Sequence, residues 1–398
     1  MTAHISPPRI SPAIGDLTRR AEVATGAAAA AADEVDRQAR FPAEAFAALR
    51  AERLMSIMVP ADLGGEGASV SDVVDICYML GRACASTAMI FAMHQIMVAI
   101  LVRHARGAAW HERLLRRLCA EQLLIASSTT DGIGGGDLRA SSCAVERNGA
   151  RITLTKNATV MSYGAEADAV LTTARRSADA AASDQVLVAF AKGDYGVERT
   201  VAWDTLGMRG TCSAGFRLTG TGDAEQVLAV PYQKIQPQSM MPIAHLTWSG
   251  VWSGVAAAAV ERARSFLRSA ARRSGGQLPP GAAHLTRATG SLRTLRGMVA
   301  SELHRFESVA ASEADLEKLD FQAAMNLLKV NASELATATV MGALQACGLA
   351  GYRNAGEFSV TRHLRDILSA PIMINNDRIL ANAANALMLV EVPTRLRD

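Results

Sequence analysis

Aromatic residues are scarce in this 398-residue chain, where Phe, Trp and Tyr together make up 5%. A core of ordinary size must then be filled by alanine and aliphatic side chains. Runs such as Ala27 to Ala32 favour helices that meet closely through small residues. An excess of charge of one sign is also missing. With 41 basic and 38 acidic residues the formal net charge is +3, which does not support nucleic-acid binding. The paired arginines Arg116–Arg117 and Arg272–Arg273 read as solvated helix faces. Six cysteines, at positions 77, 84, 119, 143, 212 and 347, include no C-x-x-C pair. That excludes a zinc site and a small disulfide scaffold, so no metal is expected and a reducing, cytoplasmic setting is the simpler reading. The opening residues MTAHISPPRISP lack the apolar run of a signal peptide, and residues 1–12 are expected to form a disordered tail.

One stretch lacks charge altogether. Ala83 to Val102 holds no Asp, Glu, Lys or Arg and has about the length of a membrane span. Ser86, Thr87, His94 and Gln95 interrupt it, and a helix buried on most of its circumference gives the same pattern. The polar interruptions favour the buried helix, and no membrane partner is expected.

What is present falls into three zones. Residues 13–121 are helical in period, as in FPAEAFAALRAERL and VSDVVDICYMLGRAC, and the turn VPADLGGEGAS (59–69) separates two of the helices. Over 122–235 the period shortens to that of strands. CAVERNG, ARITLTK, DAVLTTARR, DQVLVAFAKG and GFRLTGTG are punctuated by Gly, Asn-Gly and Asp-rich turns, which predicts an antiparallel β domain. Over 236–398 helical period returns in four long segments, with SGGQLPPGAA (274–283) breaking the first from the second. Helices, a β module and a helical bundle make an α+β chain with a cleft expected where the modules meet.

Particular segments sharpen this order. MVPADLGGEG, ACASTAMIFAMHQIMV, SSTTDGIGGGDL (127–138), TKNATVMSYGAEAD (155–168), WDTLGMRGTCSAGF (203–216), ALQACGLAGY (343–352) and TRHLRD (361–366) follow one another at family-like spacing. In that order they resemble the acyl-CoA dehydrogenase family from about residue 15 to 395. The resemblance implies an N-terminal helical domain, a middle antiparallel β domain and a C-terminal four-helix bundle around FAD. It assigns Thr130, Gly135, Gly136 and Asp137 to the loop that approaches the cofactor, with Asp131 in place of the usual Glu. Ser162 stands where the family has a Thr beside the flavin ring. Backbone N–H groups of a glycine-rich loop can approach a pyrophosphate closely, and a hydroxyl beside the isoalloxazine edge tunes its electron affinity. Gln345 and Gly348 would meet the FAD of a neighbouring subunit, which implies a homo-oligomer, a tetramer or a dimer. Arg272 stands in for the Arg of a motif whose Phe is absent. Asn376 joins the set of cofactor-side candidates.

The family's proton-abstracting glutamate has no counterpart. Ile374 occupies its commonest position, with Met373 at the neighbouring tyrosine, and Thr247 occupies the alternative one, with Trp248 where an Arg is usual. An isoleucine cannot accept a proton. Replacement candidates are His94 on the cavity-lining helix, Asp377 nearly one helical turn from Ile374, and Thr247 itself; His245 is a weaker one. His94 and Asp377 each have a structural alternative, a satisfied core histidine and a helix-capping Asp. Three functions stay open. The first is dehydrogenation of the CH–CH group of an acyl thioester, held on CoA or a carrier protein, with an electron-transfer flavoprotein as partner. The second is a two-component flavin monooxygenase fed by a flavin reductase. The third is a non-catalytic flavoprotein partner. Fatty acid or secondary metabolism is the setting they imply.

Overall fold

The computed structural model describes residues 14–130, 140–392 and 394–395. Five helices come first: α1 (Ile14–Gln38), α2 (Ala43–Ala51), α3 (Val70–Ala83), α4 (Ala85–His104) and α5 (Ala109–Glu121). α3 begins at a capping box, in which the Ser69 hydroxyl accepts the Asp72 N–H and the Asp72 carboxylate accepts the Ser69 N–H. The uncharged stretch forms α4, buried along nearly its whole length among the other elements. It is a core helix, as its polar interruptions suggested.

The described residues of the β module form seven strands: β1 (Ile125–Ser128), β2 (Glu146–Asn148), β3 (Arg151–Ala158), β4 (Ala169–Arg175), β5 (Gln185–Ala191), β6 (Tyr195–Val201) and β7 (Gly215–Asp223). They form two sheets, ordered β1-β4-β5 and β2-β3-β7-β6. β3 alternates exposed and buried residues, as a strand with one wet face must, whereas β5 is buried throughout. The pairings are antiparallel except that of β1 with β4, which is parallel. The chain leaves one sheet after β1, builds β2 and β3, and returns at β4 in the same direction. From β3 the fully buried Lys156 crosses between the sheets, donating to Ser128 O, Thr173 O and Thr173 Oγ1, each at 2.9 Å. It fixes the end of β1, where the cavity described below begins.

The last third is helical: α6 (Tyr232–Ile235), α7 (Met241–Arg273), α8 (Ala282–Val309), α9 (Glu313–Leu316), α10 (Leu319–Cys347), α11 (Leu349–Tyr352), α12 (Thr361–Ile367) and α13 (Asn376–Leu387). The π-helical turn Gln236–Met240 joins α6 to α7 in one continuous rod. α10 packs on α7, α8 and α13 to form the bundle. Small residues set the closest crossing. A Cβ on Gly254 would lie 2.3 Å from Tyr78 O, and one on Gly81 would lie 2.5 Å from Val251 O, so α3 and α7 touch backbone to backbone.

Candidate functional site

A cavity of about 750 Å³ opens where the three zones meet. Its apolar lining comes from the helices. Met89, Met93, Ile96 and Met97 recur at three- and four-residue steps on α4, so they share one face. Met240 from the π-helical turn and Trp248 from α7 join them, followed by Ile372, Met373 and Ile374 from the segment between α12 and α13. Unbranched methionine side chains make this surface deformable and suited to flat or irregular apolar groups.

The β module contributes hydroxyls instead. Ser127 in β1 and Thr129 and Thr130 beyond it line the cavity, with Thr159 and Ser162 beyond β3, and Thr205, Thr211 and Ser213 ahead of β7. Three of them form a chain. Ser162 Oγ lies 2.7 Å from Ser213 Oγ, which lies 2.7 Å from Thr211 Oγ1, and Thr211 donates to Met208 O at 2.8 Å. A carbonyl only accepts, so the polarity of the chain is set from that end. Thr211 spends its proton on Met208, Ser213 donates to Thr211, and Ser162 donates to Ser213. Ser162 thus meets the cavity with oxygen lone pairs, ready to accept an N–H or O–H.

Backbone strain gathers here. Of the seven non-glycine residues with positive φ among the described residues, Met208 (φ 53°) and Ile374 (φ 47°) line the cavity. Tyr163 (45°) and Cys212 (49°) directly follow Ser162 and Thr211. A β-branched residue in the left-handed region is costly and persists only where its surroundings over-determine it.

Two arginines, Arg365 and Arg378, are the charged groups of the described lining. Arg365 reaches the cavity but gives its Nη atoms to the Asp36 carboxylate and to Leu206 O. Asp366 is buried and accepts the Met208 N–H at 2.7 Å. Burial pushes its carboxyl up to about 6, partly opposed by Arg362. No carboxylate and no imidazole occurs among the described residues that line the cavity.

The sequence candidates separate against this geometry. Thr130, Ser162 and Ile374 meet in the cavity, and Thr130 Oγ1 donates to Val160 O at 3.1 Å. Gly135, Gly136 and Asp137 lie outside the described residues. His94 does not line the cavity. Its Nδ1 accepts the Ile125 N–H at 3.0 Å, which leaves the ring proton on Nε2 for Met55 O at 2.7 Å. Burial lowers its pKa to about 4, so the ring stays neutral and ties α4 to β1 and the turn after α2. Thr247 turns its hydroxyl back to Ile243 O at 2.8 Å within α7, outside the cavity lining. Asp377 is exposed in the first turn of α13, and its N–H is capped by Asn375 Oδ1. Asn376 faces the bundle core, where its Oδ1 accepts from Lys329 Nζ at 2.7 Å. Arg272, Gln345 and Gly348 are exposed at helix ends away from the lining. His245 gives Nδ1 to Met325 O at 2.9 Å.

Sequence reasoning did not single out the methionine face, Thr211, Ser213 or Lys329. The first had a signal in the spacing of Met89, Met93 and Met97; the bonds of Ser213 to Ser162 and of Lys329 to the 370–376 segment had none, because those partners are distant in sequence. The His94 geometry has a direct consequence. Glutamine can accept from Ile125 N–H and donate to Met55 O, so His94→Gln is expected to keep turnover within a few-fold of wild type. A loss of three or more orders of magnitude, on the scale of removing a general base, would overturn the structural assignment.

Known proteins resemble the chain in two ways. The family model "acyl-CoA dehydrogenase, N-terminal domain" matches residues 18–122, and "acyl-CoA dehydrogenase, C-terminal domain" matches residues 238–385. Cyclohex-1-ene-1-carbonyl-CoA dehydrogenase of Geobacter metallireducens is 29% identical over 201 residues. That match covers 50% of this chain and 52% of the relative, so the chain spans about half the length of the curated relative it matches. Among solved structures, FMN-bound TdsC from Paenibacillus sp. A11-2 superposes with a TM-score of 0.82 at 19% identity, covering 94% of this chain and 98% of that one. KijD3 in complex with dTDP gives 0.83 at 22% identity, with 96% and 98% covered. At these identities the two structures carry the fold.

Proposed function

The chain belongs to the acyl-CoA dehydrogenase family, and from that premise we propose that it is a flavin-dependent monooxygenase taking reduced flavin from a separate reductase. One observation carries the reading: the described residues around the cavity offer hydroxyls, thioethers, the Asn375 amide and the guanidinium groups of Arg365 and Arg378, but no carboxylate or imidazole able to take a proton from carbon. Dehydrogenation of an acyl thioester needs such a base, whereas oxygen insertion does not.

The residues suit a flavin. A planar ring with apolar faces and a hydrogen-bonding edge matches methionine and aliphatic side chains from the helices together with hydroxyls from the β module. Thr130 and Ser162 would hold the ring edge, Ser162 as an acceptor. When bound in reduced form, the flavin supplies two electrons to dioxygen; one oxygen atom goes to the substrate and the other leaves as water. The Met89, Met93 and Met97 face excludes water and presents an apolar bed for a flat substrate. The hydroxyl chain from Ser162 to Met208 O would leave Ser162 as the acceptor for a proton on the ring edge. TdsC, a dibenzothiophene monooxygenase, shares this fold, which is compatible with the reading.

The family resemblance also supports a second reading, acyl-thioester dehydrogenation, through the curated CoA-ester relative. One experiment separates them. The protein is given FMN or FAD, reduced by an independent reductase, with ¹⁸O-labelled dioxygen and a panel of aryl sulfides and indoles. In parallel, the oxidised complex is titrated anaerobically with acyl thioesters. Incorporation of one ¹⁸O atom per product is the expected result. Anaerobic bleaching by a thioester, with no label incorporated from any aromatic, would sink the monooxygenase reading.

A further inference from the structure

Lys329 is wholly buried in α10, in the core of the bundle, an unusual place for an ammonium group. Its hydrogen-bond partners lie on the short segment between α12 and α13 and on the first residue of α13. Nζ donates to Ala370 O at 3.1 Å, to Ile374 O at 3.0 Å and to Asn376 Oδ1 at 2.7 Å. The Trp252 ring lies 5.8 Å away and adds a cation–π contact from α7. Asn376 completes the arrangement by donating Nδ2 to Ser333 Oγ at 3.0 Å, one turn along the same helix as Lys329.

The held segment is the one that supplies Ile372, Met373, Ile374 and Asn375 to the cavity. Ile374 there has φ 47°, a conformation that a β-branched residue does not keep unaided. Its carbonyl is one of the three oxygens that Lys329 grips. An ammonium has three protons, and three acceptors take them all, so the anchor is saturated only in the charged form.

We infer that Lys329 is a positioning residue, which from behind the cavity wall clamps the strained Ile374 turn in the shape that the site requires. It touches neither cofactor nor substrate; it acts through the segment it holds. The inference bears on catalysis only insofar as the cavity is the flavin site, and in that respect it rests on the proposed function.

Burial lowers the lysine's pKa to about 8, with Glu334 on the same helix favouring the charged form. His245 on α7 feels the lysine's charge and is neutral across this range, because burial holds it at about 4. The 370–376 segment presents only carbonyl and amide oxygens to Nζ. Above pH 8 the neutral amine has two protons for three acceptors, so the clamp loosens as pH rises.

Hydrogen exchange of the intact protein tests this without knowledge of the substrate. In Lys329→Met the amides of 370–376 are expected to exchange about 10- to 100-fold faster, while those of 205–213 stay as in wild type. In wild type the same amides should lose protection, after correction for intrinsic rates, as pH rises through 8; the variant should lack that step. FMN should leave the variant faster than wild type. Asn376→Ala removes one acceptor, keeps the lysine and should give a smaller effect in the same segment, which serves if the methionine variant fails to fold. Unchanged exchange over 370–376 in both variants would overturn the inference. Faster exchange in a protein whose wild type takes up no flavin would support the clamp and refute the flavin site instead.

Discussion

Gly207→Ala should be among the most damaging single methyl additions in this protein. A Cβ on Gly207 would lie 2.1 Å from Arg365 O, 2.2 Å from its carbonyl carbon and 2.6 Å from Asp366 N. These are backbone atoms of α12, which cannot swing aside as a side-chain tip would. The same turn is bound to α12 by the Asp366 carboxylate on Met208 N–H and by Arg365 on Leu206 O. Separating the two elements by the extra 1 Å or more would break both bonds and pull Met208 from the cavity. Overpacking of this kind costs about 3 kcal/mol or more, against a net stability of roughly 5–15 kcal/mol. The expected outcome is a large drop in melting temperature or no soluble protein. Gly290→Ala is the matched control, since a Cβ there meets nothing within 4 Å in the exposed middle of α8. It should be neutral or slightly stabilising, by up to about 1 kcal/mol. Equal melting temperatures for the two variants would refute the close approach.

Acid should destabilise the protein well before its surface carboxylates are protonated. His94 and His245 are buried neutral, each with its pKa lowered to about 4 from 6.5. His363 is also held well below the usual imidazole range, by burial first and by Arg362 and Arg262 beside it. In the unfolded chain these rings take up protons below about 6.5, while in the folded protein His94 and His245 do not until near 4. Between those values the unfolded state binds more protons, so stability falls as pH falls. For His94 and His245 together the loss between neutral pH and pH 5 is about 4 kcal/mol. Asp366 works the other way. Its pKa is raised to about 6 from 3.8, so the folded state gains a proton first and recovers about 1 kcal/mol over the same interval. The histidines win. Melting temperature should fall by several degrees between pH 7 and pH 5, and His94→Gln should flatten the dependence by removing one of the neutral rings. A melting temperature that is flat over this range would contradict the buried, neutral assignment.

Both predictions depend on features that differ in how far the sequence revealed them. The change from helical to strand-like period marked the β module, and the polar interruptions in the uncharged stretch marked α4 as a core helix. Periodicity is a local property, and in those places local preference and tertiary burial agree. β1 and β6 were not recognised. β1 is four residues long and buried throughout, and β6 is largely exposed, so neither alternates in the way that signals a strand. The parallel pairing of β1 with β4 was beyond reach for another reason: it joins strands separated by two others in the chain.

At the site the division is similar. Thr130, Ser162 and Ile374 were legible because each sits within a motif of contiguous residues. His94 and Thr247 are candidates by their place in the resemblance and Asp377 by helical spacing, but neither says what a side chain bonds to. His94 faces two backbone groups, from Met55 and Ile125, that no local pattern couples to it.

The order of residue types along the chain thus determined the helical and β zones, the family, and the motifs that return to one cavity. Only tertiary packing decided which side chains face that cavity, which way the hydroxyl chain points, and that a buried lysine grips the turn at Ile374. The physical reason is range. Secondary structure follows from neighbours within a few residues, whereas hydrogen-bond partners and burial depend on chain segments brought together from far apart, such as Lys329 with Ala370 or Gly207 with Arg365.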